Sequence, residues 1–227
     1  MSVTDEIRQT LVSMQEESYR AFQAKLIPTL STDVILGVRL PLLRAMAKEA
    51  AKRPDIGEFL DALPHTYLEE NHLHSFLICR IRSFSEALER TEAFLPYIDN
   101  WAVCDSFYPP VFHRHRQELL PHILRWLQSG NTYPARFAMH LLMDDFADDL
   151  FSPELPKLVA EQTGEDYYFR MMQAWYFATL LPQQEQALLP YFSPGLLPEW
   201  VRKKALQKAL ESFRVSPELK AYLRPLR

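Results

Sequence analysis

Trp101 and Asp105 are the residues of this chain whose types and spacing best suit chemistry. They lie in a segment with helical character, where residues four apart share a face, so the indole is expected beside the carboxylate. A carboxylate supplies charge to steady a developing cation, and an aromatic ring supplies a π face and partial exclusion of water. The same spacing fits an ordinary helix whose Trp packs inward and whose Asp is solvated, so both interpretations stay open here.

Two further side chains could join such chemistry. Arg136 lies in a mostly apolar helical stretch, where a guanidinium needs a carboxylate or phosphate partner. Asp144 or Asp145 would supply the carboxylate in a purely structural ion pair. Trp175 lies in an unusually aromatic helical stretch, for which core packing is the alternative to a binding role.

The C-terminal end of the chain is basic, although the formal net charge of the whole chain is −4. Residues 198–227 contain eight Lys and Arg against three Glu, a net charge of +5, which leaves −9 on the rest of the chain. A basic end on an acidic body still presents a cationic surface to phosphates, although an ordinary exposed helix fits equally well. The candidate DNA-binding residues are Arg202, Lys203, Lys204 and Lys208.

Metal and cofactor chemistry finds little support in the sequence. The histidines are not spaced as zinc ligands, and there is no HExxH motif or cysteine pair. The chain contains no GxGxxG motif, phosphate-binding P-loop or GxSxG motif. A solvated acidic face is a better interpretation than a cation site for Asp144, Asp145, Asp148 and Asp149. We therefore expect no metal and no nucleotide or other cofactor.

Composition predicts an all-α protein. The 227 residues are 48% hydrophobic, with five glycines and seventeen prolines, and hairpin signals are nearly missing. Two cysteines do not make a disulfide framework, residues 1–10 do not resemble a signal peptide, and no apolar run reaches the roughly 18 residues of a membrane span. These features predict a cytoplasmic protein with no membrane partner.

The helical segments must position the candidate residues. Their short, proline-bearing connections predict antiparallel helix pairs at intervals of about 35–45 residues, as in HEAT-type repeats. We expect a single domain over residues 1–227 that forms a curved α-solenoid of degenerate HEAT-like pairs, with a compact irregular bundle as the competing architecture. Besides the segment at Trp101, the predicted helices cover residues 5–23, 40–53, 56–63, 67–82, 85–95, 111–127, 134–146, 153–162, 165–181, 183–189, 198–213 and 217–226.

Taken together, these segments resemble the DNA alkylation-repair family of AlkD-like glycosylases along nearly the whole chain. The order and spacing of the matching pieces carry the resemblance, since each piece alone is short. The pieces are residues 19–29, 36–44 with Ala47-Lys48, Glu69-Glu70, 99–105, Arg136-Phe137-Ala138, Gln173-Ala174-Trp175 and 204–208 with Glu211-Ser212.

The resemblance implies a fold and an activity. The fold would be a curved array of HEAT-like helix pairs. The activity would be excision of positively charged N3- or N7-alkylated purines from duplex DNA, with no metal or cofactor and without flipping the lesion into a pocket. Asp105 would be the catalytic carboxylate, Trp101 and Trp175 would line the cleft, and Arg136 would be the active-site arginine. Two alternatives remain: a noncatalytic binder of branched or unusual DNA, and a HEAT-type protein-interaction scaffold.

Overall fold

The computed structural model describes residues 2–227, and this part of the chain is helical, without a strand. The all-α prediction is confirmed. Four 3-10 helices lie at Thr32–Val34, Leu95–Tyr97, Leu189–Phe192 and Arg224–Leu226. The α-helices of the described residues are α1 (Val3–Ser13), α2 (Glu17–Leu26), α3 (Leu40–Ala50), α4 (Ile56–Asp61), α5 (Leu68–Ile78), α6 (Phe84–Phe94), α7 (Trp101–Ser106), α8 (Val111–Arg114), α9 (Arg116–Leu127), α10 (Thr132–Asp145), α11 (Glu154–Glu161), α12 (Tyr167–Leu180), α13 (Glu185–Leu188), α14 (Glu199–Glu211) and α15 (Pro217–Leu223).

The chain forms two compact units. The N-terminal unit ends at His115 and contains α1–α8, and the C-terminal unit begins at Arg116 and contains α9–α15. The curvature of a helical array, and its extent over residues 1–227 as one domain, stay predictions.

Helix α5 is the centre of the N-terminal unit. Every residue of α5 is buried, and the helix packs against α1, α3, α6 and α7. Its buried carboxylate at Glu69 accepts backbone N–H bonds from Leu36, Gly37 and Val38, at 2.9, 2.7 and 3.2 Å. Because a buried charge is costly unless it is hydrogen-bonded, these three bonds fix the loop before α3 onto α5.

Gly37 is required where this loop meets α2. Its φ of +84° lies in the left-handed region, and an added Cβ would lie 2.5 Å from the Glu16 carbonyl oxygen and 2.6 Å from the Arg20 nitrogen. A side chain here would therefore separate the loop from the first turn of α2.

Four helices of the C-terminal unit pack in succession. Helix α10 packs against α9 and α12, and α12 packs against α14. Most residues of α10 and α12 are buried. These two helices carry Arg136 and Trp175, so the core of this unit fixes the backbone at both residues.

Two of the predicted helices are interrupted. The segment predicted at 5–23 divides into α1 and α2, with a non-helical Glu16 (φ −124°, ψ 111°) before α2. This break brings the Glu16 carbonyl and the Arg20 nitrogen against Gly37. The segment predicted at 111–127 divides at His115, whose ring stacks on Phe84 with centroids 4.7 Å apart. In both places a tertiary contact competes with the local helical preference.

Candidate functional site

Trp101 and Asp105 lie one turn apart on α7, as their spacing predicts. The helix begins after Asn100, whose buried side-chain oxygen accepts the Val103 N–H at 3.0 Å. Val103 and Cys104 are buried, whereas Trp101 and Asp105 are half-buried. The inward pair and the N-cap together fix α7, so its outer face presents an indole and a carboxylate.

The Trp101 side chain is anchored by a hydrogen bond. Its indole Nε1–H donates to the backbone carbonyl of Leu26 at 3.1 Å. Leu26 is the last residue of α2, and helix-terminal carbonyls have no partner within their own helix. The bond therefore satisfies an orphan acceptor and restricts the indole ring beside Asp105.

Helix α5 packs against α7 and makes a hydrogen bond with it. The ring of His72 makes a hydrogen bond with Ser106 Oγ at 3.2 Å, and Ser106 Oγ donates to the Val103 carbonyl at 3.1 Å. Burial, with a smaller contribution from Arg44, lowers the pKa of His72 to about 3. His72 is therefore neutral at physiological pH and adds no positive charge behind α7.

Arg136 links two helices of the C-terminal unit. It is 4% exposed, and its Nη1 donates to the Tyr168 carbonyl at 2.7 Å. Tyr168 lies in the first turn of α12, so the guanidinium on α10 orients the start of the helix that carries Trp175. The sequence suggested a carboxylate or a phosphate as the partner of Arg136, and the structure adds this contact with a backbone carbonyl.

Trp175 lines a pocket of about 500 Å³ in the C-terminal unit. His140 stacks on the Trp175 ring with centroids 6.0 Å apart and an angle of 25° between the planes. On its other side, His140 Nε2 lies 3.3 Å from Asp144 Oδ2. The pocket is completed by Met143, Ala178, Thr179, Lys208, Glu211, Ser212 and Arg214. It therefore combines an aromatic wall with both signs of charge.

Two charged side chains in this pocket have shifted pKa values. Burial raises the pKa of Asp144, against the lowering effect of His140. Burial also lowers the pKa of Lys208, and Lys204 lowers it further. Each shift favours the neutral form of the group. His140 and Asp144 were not among the predicted site residues. Their spacing of four residues, on the helix that carries Arg136, is the feature of the sequence that could have identified them.

The predicted DNA-binding residues differ in what they contact. Lys204 and Lys208 are half-buried on α14, and Lys204 Nζ lies 5.8 Å from the centroid of the Trp200 ring. Lys203 is exposed, with Nζ 3.3 Å from Glu199.

Arg202 differs from the prediction. It is 5% exposed, and two of its nitrogens donate to Glu199 at 2.8 Å each. Its Nη1 donates to the carbonyls of Phe192 and Leu226 at 3.2 and 2.7 Å. The guanidinium therefore makes these contacts within the C-terminal unit, because a buried cation needs paired groups to offset the cost of its desolvation.

In each unit the fold therefore brings some of the candidate residues together. Trp101 and Asp105 share one face of α7 in the N-terminal unit. In the C-terminal unit, Trp175 and Lys208 line one pocket, and Arg136 lies one turn before His140 of that pocket.

Within residues 2–227, no group of three or more His, Cys, Asp or Glu side chains could hold a metal ion. Among the helices described, none has both the length and the apolar character needed to cross a bilayer.

The fold and this set of side chains define an all-helical protein with an aromatic–carboxylate pair and a separate aromatic pocket. The sequence profile of the family described as DNA alkylation repair enzyme matches residues 7–169, and the chain belongs to this family. The matched range contains Trp101, Asp105 and Arg136, whereas Trp175 and the basic residues of α14 follow it. No curated protein matches the chain. Family membership supports a role in DNA alkylation repair, with DNA as substrate or partner.

Proposed function

We propose that this protein is a DNA glycosylase that excises positively charged N3- and N7-alkylated purines from duplex DNA. The observation that carries the proposal is the pair on α7: a half-buried carboxylate at Asp105 beside an indole that the Leu26 carbonyl holds in place. Membership of a DNA alkylation repair family supports the same substrate class.

The proposed reaction needs little acid catalysis. An alkylated purine already carries a positive charge, so it leaves as a neutral base when the bond between its nitrogen and C1′ breaks. Positive charge then develops on the deoxyribose, and the Asp105 carboxylate stabilises it. A water molecule forms the new bond to C1′ and releases one proton, which Asp105 accepts or passes to solvent. The products are the free base and an abasic site.

The Trp101 ring would hold the sugar rather than a flipped base. In this proposal the Trp101 face contacts the deoxyribose. Trp175 is proposed to contact DNA at the pocket that it lines in the C-terminal unit. Arg136 orients the start of α12 through the Tyr168 carbonyl, and its guanidinium is proposed to act on a flanking phosphate. Chemistry at the sugar does not require the base to enter a closed pocket, unlike most base-processing enzymes.

Lys203, Lys204 and Lys208 are proposed to contact the duplex backbone. Lys203 is exposed, and Lys208 lines the same pocket as Trp175. Arg202 takes no part in the proposed contact because Glu199 and two backbone carbonyls already use its guanidinium.

The test is release of free base from duplexes that contain N7-methylguanine or N3-methyladenine, measured by chromatography and mass spectrometry. Wild-type protein should release both bases and leave an undamaged duplex intact. Asp105→Asn keeps the size of the side chain but removes its charge, and it should lower the excision rate by about 10²-fold or more, roughly 2.7 kcal/mol. Asp33→Asn removes an exposed carboxylate from the same unit and should leave the rate unchanged.

The alternatives have their own outcomes in this experiment. Wild-type protein that binds a four-way junction tightly but releases no base would be a noncatalytic binder of branched DNA. Protein that neither releases base nor binds DNA would be an interaction scaffold. In both cases Asp105 would be a structural residue.

A further inference from the structure

Three arginines surround a second pocket, in the N-terminal unit. Its volume is about 460 Å³, and its cationic lining consists of Arg80, Arg82 and Arg114. The other lining residues are Cys79, Ile81, Pro110 and Val111, so none of the described residues that line this pocket is acidic. The sequence separates Arg114 from the other two by about thirty residues, and only the fold brings the three together.

Among residues 2–227, no carboxylate forms an ion pair with the arginines of this pocket. In the described part of the chain, Arg80, Arg82 and Arg114 have no ion pair and no side-chain hydrogen bond. Arg80 affects Glu49 electrostatically, but the Glu49 carboxylate makes its own contact with Lys52. Elsewhere in this unit, Arg8 contacts Glu70, and Arg39 contacts Glu16. Like charges held together without counter-charge create a local positive potential that an anion relieves.

The backbone on both sides of the pocket is fixed. At the end of α5, Arg80 N–H donates to the Leu77 carbonyl at 2.9 Å, and Ile81 N–H donates to the Ile78 carbonyl at 3.0 Å. Arg114 ends α8, where Phe112 is fully buried. Helix C-termini favour nearby cations, which suits Arg80 and Arg114 individually but does not neutralise three guanidinium groups around one pocket.

One side of the pocket is formed by the chain that follows α7, the helix of Asp105. Pro110, which lines the pocket, follows Asp105 by five residues, and the Tyr108 backbone hydrogen-bonds the Cys79 thiol. Because Cys79 also lines the pocket, this bond ties the chain beyond α7 to the edge of the arginine cluster.

From this arrangement we infer that Arg80, Arg82 and Arg114 bind a backbone phosphate of the duplex whose damaged nucleotide lies at Asp105. This inference rests on the proposed function. Guanidinium groups match phosphate oxygens in charge and in fork geometry. The part of the chain before residue 198 is acidic overall, so its composition does not predict a phosphate contact there. These three arginines would supply one.

The first experiment measures binding of an undamaged fluorescent duplex as a function of salt. The triple variant Arg80→Ala/Arg82→Ala/Arg114→Ala should weaken binding by about tenfold or more. It should also reduce the slope of log affinity against log salt by about one, the change expected for one phosphate that the protein no longer neutralises. The control Lys48→Ala/Lys52→Ala/Lys157→Ala removes the same charge from exposed side chains outside the pocket and should keep the wild-type slope.

The second experiment identifies the ligand at the site. Wild-type protein is treated with phenylglyoxal, and modification of each arginine is followed by peptide mapping. Both pyrophosphate and the duplex should slow modification of Arg80, Arg82 and Arg114 and leave the exposed Arg224 and Arg227 unaffected. Protection by pyrophosphate alone would indicate a small phosphorylated ligand and overturn the assignment to DNA. Equal modification rates in all samples would overturn the site altogether.

Base release distinguishes this inference from the proposed function. If wild-type protein excises alkylated purines and the triple arginine variant binds with unchanged affinity and slope, the pocket inference is wrong and the glycosylase proposal stands. If duplex protects the three arginines but no base is released, the phosphate site stands and the glycosylase proposal fails.

Discussion

The indole N–H of Trp101 donates a hydrogen bond to the carbonyl of Leu26 across 3.1 Å, although the two residues are 75 positions apart in the sequence. This bond joins the first residue of α7 to the last residue of α2. It fixes the ring that stands one helical turn from Asp105.

Trp101→Phe tests the value of this anchor. The substitution keeps an aromatic face but removes the N–H donor, and it leaves the Leu26 carbonyl without this partner. We expect a loss of about 1 kcal/mol in the free energy of unfolding, measured with urea. We also expect a several-fold slower excision, since the ring loses its fixed orientation.

Trp200→Phe is the control for this substitution. It makes the same chemical change at an exposed indole of the C-terminal unit. Its unfolding free energy should stay within about 0.5 kcal/mol of wild type. A loss at Trp200 equal to that at Trp101 would contradict the anchoring role.

Trp175→Ala should reduce excision less than Asp105→Asn does. A ring-face contact contributes about 0.5–2 kcal/mol, which corresponds to a reaction that is about twofold to 30-fold slower. Single-turnover excision by both variants provides the comparison. Tyr222→Ala, which removes an exposed ring of the same unit, should leave the rate unchanged. An excision rate for Trp175→Ala as low as that of Asp105→Asn would contradict a contribution of this size from the ring.

Lys204→Glu/Lys208→Glu should weaken binding of any duplex, whatever its sequence. The two lysines lie one turn apart on α14, and phosphate contacts of this kind depend strongly on salt. Fluorescence anisotropy at several salt concentrations should show a lower affinity and a shallower slope. Lys52→Glu/Lys157→Glu makes the same change of charge at exposed positions and should have the smaller effect. Unchanged affinity of the α14 variant at low salt would place the DNA contact elsewhere.

Stability should fall as the pH is lowered from 7 to 5. Burial lowers the pKa of His72 to about 3 and that of His65 to about 4, against about 6.5 in an unfolded chain. Between these values the unfolded state binds protons that the folded state does not, so the stability present above pH 6.5 is lost on acidification. For His72 alone the loss at pH 5 is about 2 kcal/mol.

Urea unfolding at pH 7.5 and pH 5.0 measures this dependence. His72→Asn should reduce the difference in stability between the two pH values by about 2 kcal/mol, whatever its effect at pH 7.5. His113→Asn, at an exposed histidine, should keep the wild-type difference. The same difference in both variants would show that His72 does not carry the pH dependence.

Local sequence rules account for much of the helical structure. Pro41 and Pro217 lie in the first turns of α3 and α15. Proline is tolerated there because the backbone N–H that it lacks would have no partner within the helix. The spacing of four between Trp101 and Asp105 was enough to predict that both lie on one helix face. The interruptions at Glu16 and His115 were not predictable in this way, because Gly37 and Phe84 come from other parts of the chain.

The sequence by itself therefore determined the all-α class, the face shared by Trp101 and Asp105, and the basic character of residues 198–227. These properties depend on neighbours within one or two helical turns. Only the tertiary structure decided that Arg202 is used internally, that Trp101 is anchored on Leu26, and that Arg80, Arg82 and Arg114 line one pocket. Whether a charged side chain is neutralised or left to bind a ligand depends on groups that are distant in the sequence, since a charge responds to whatever the fold brings within a few ångströms of it.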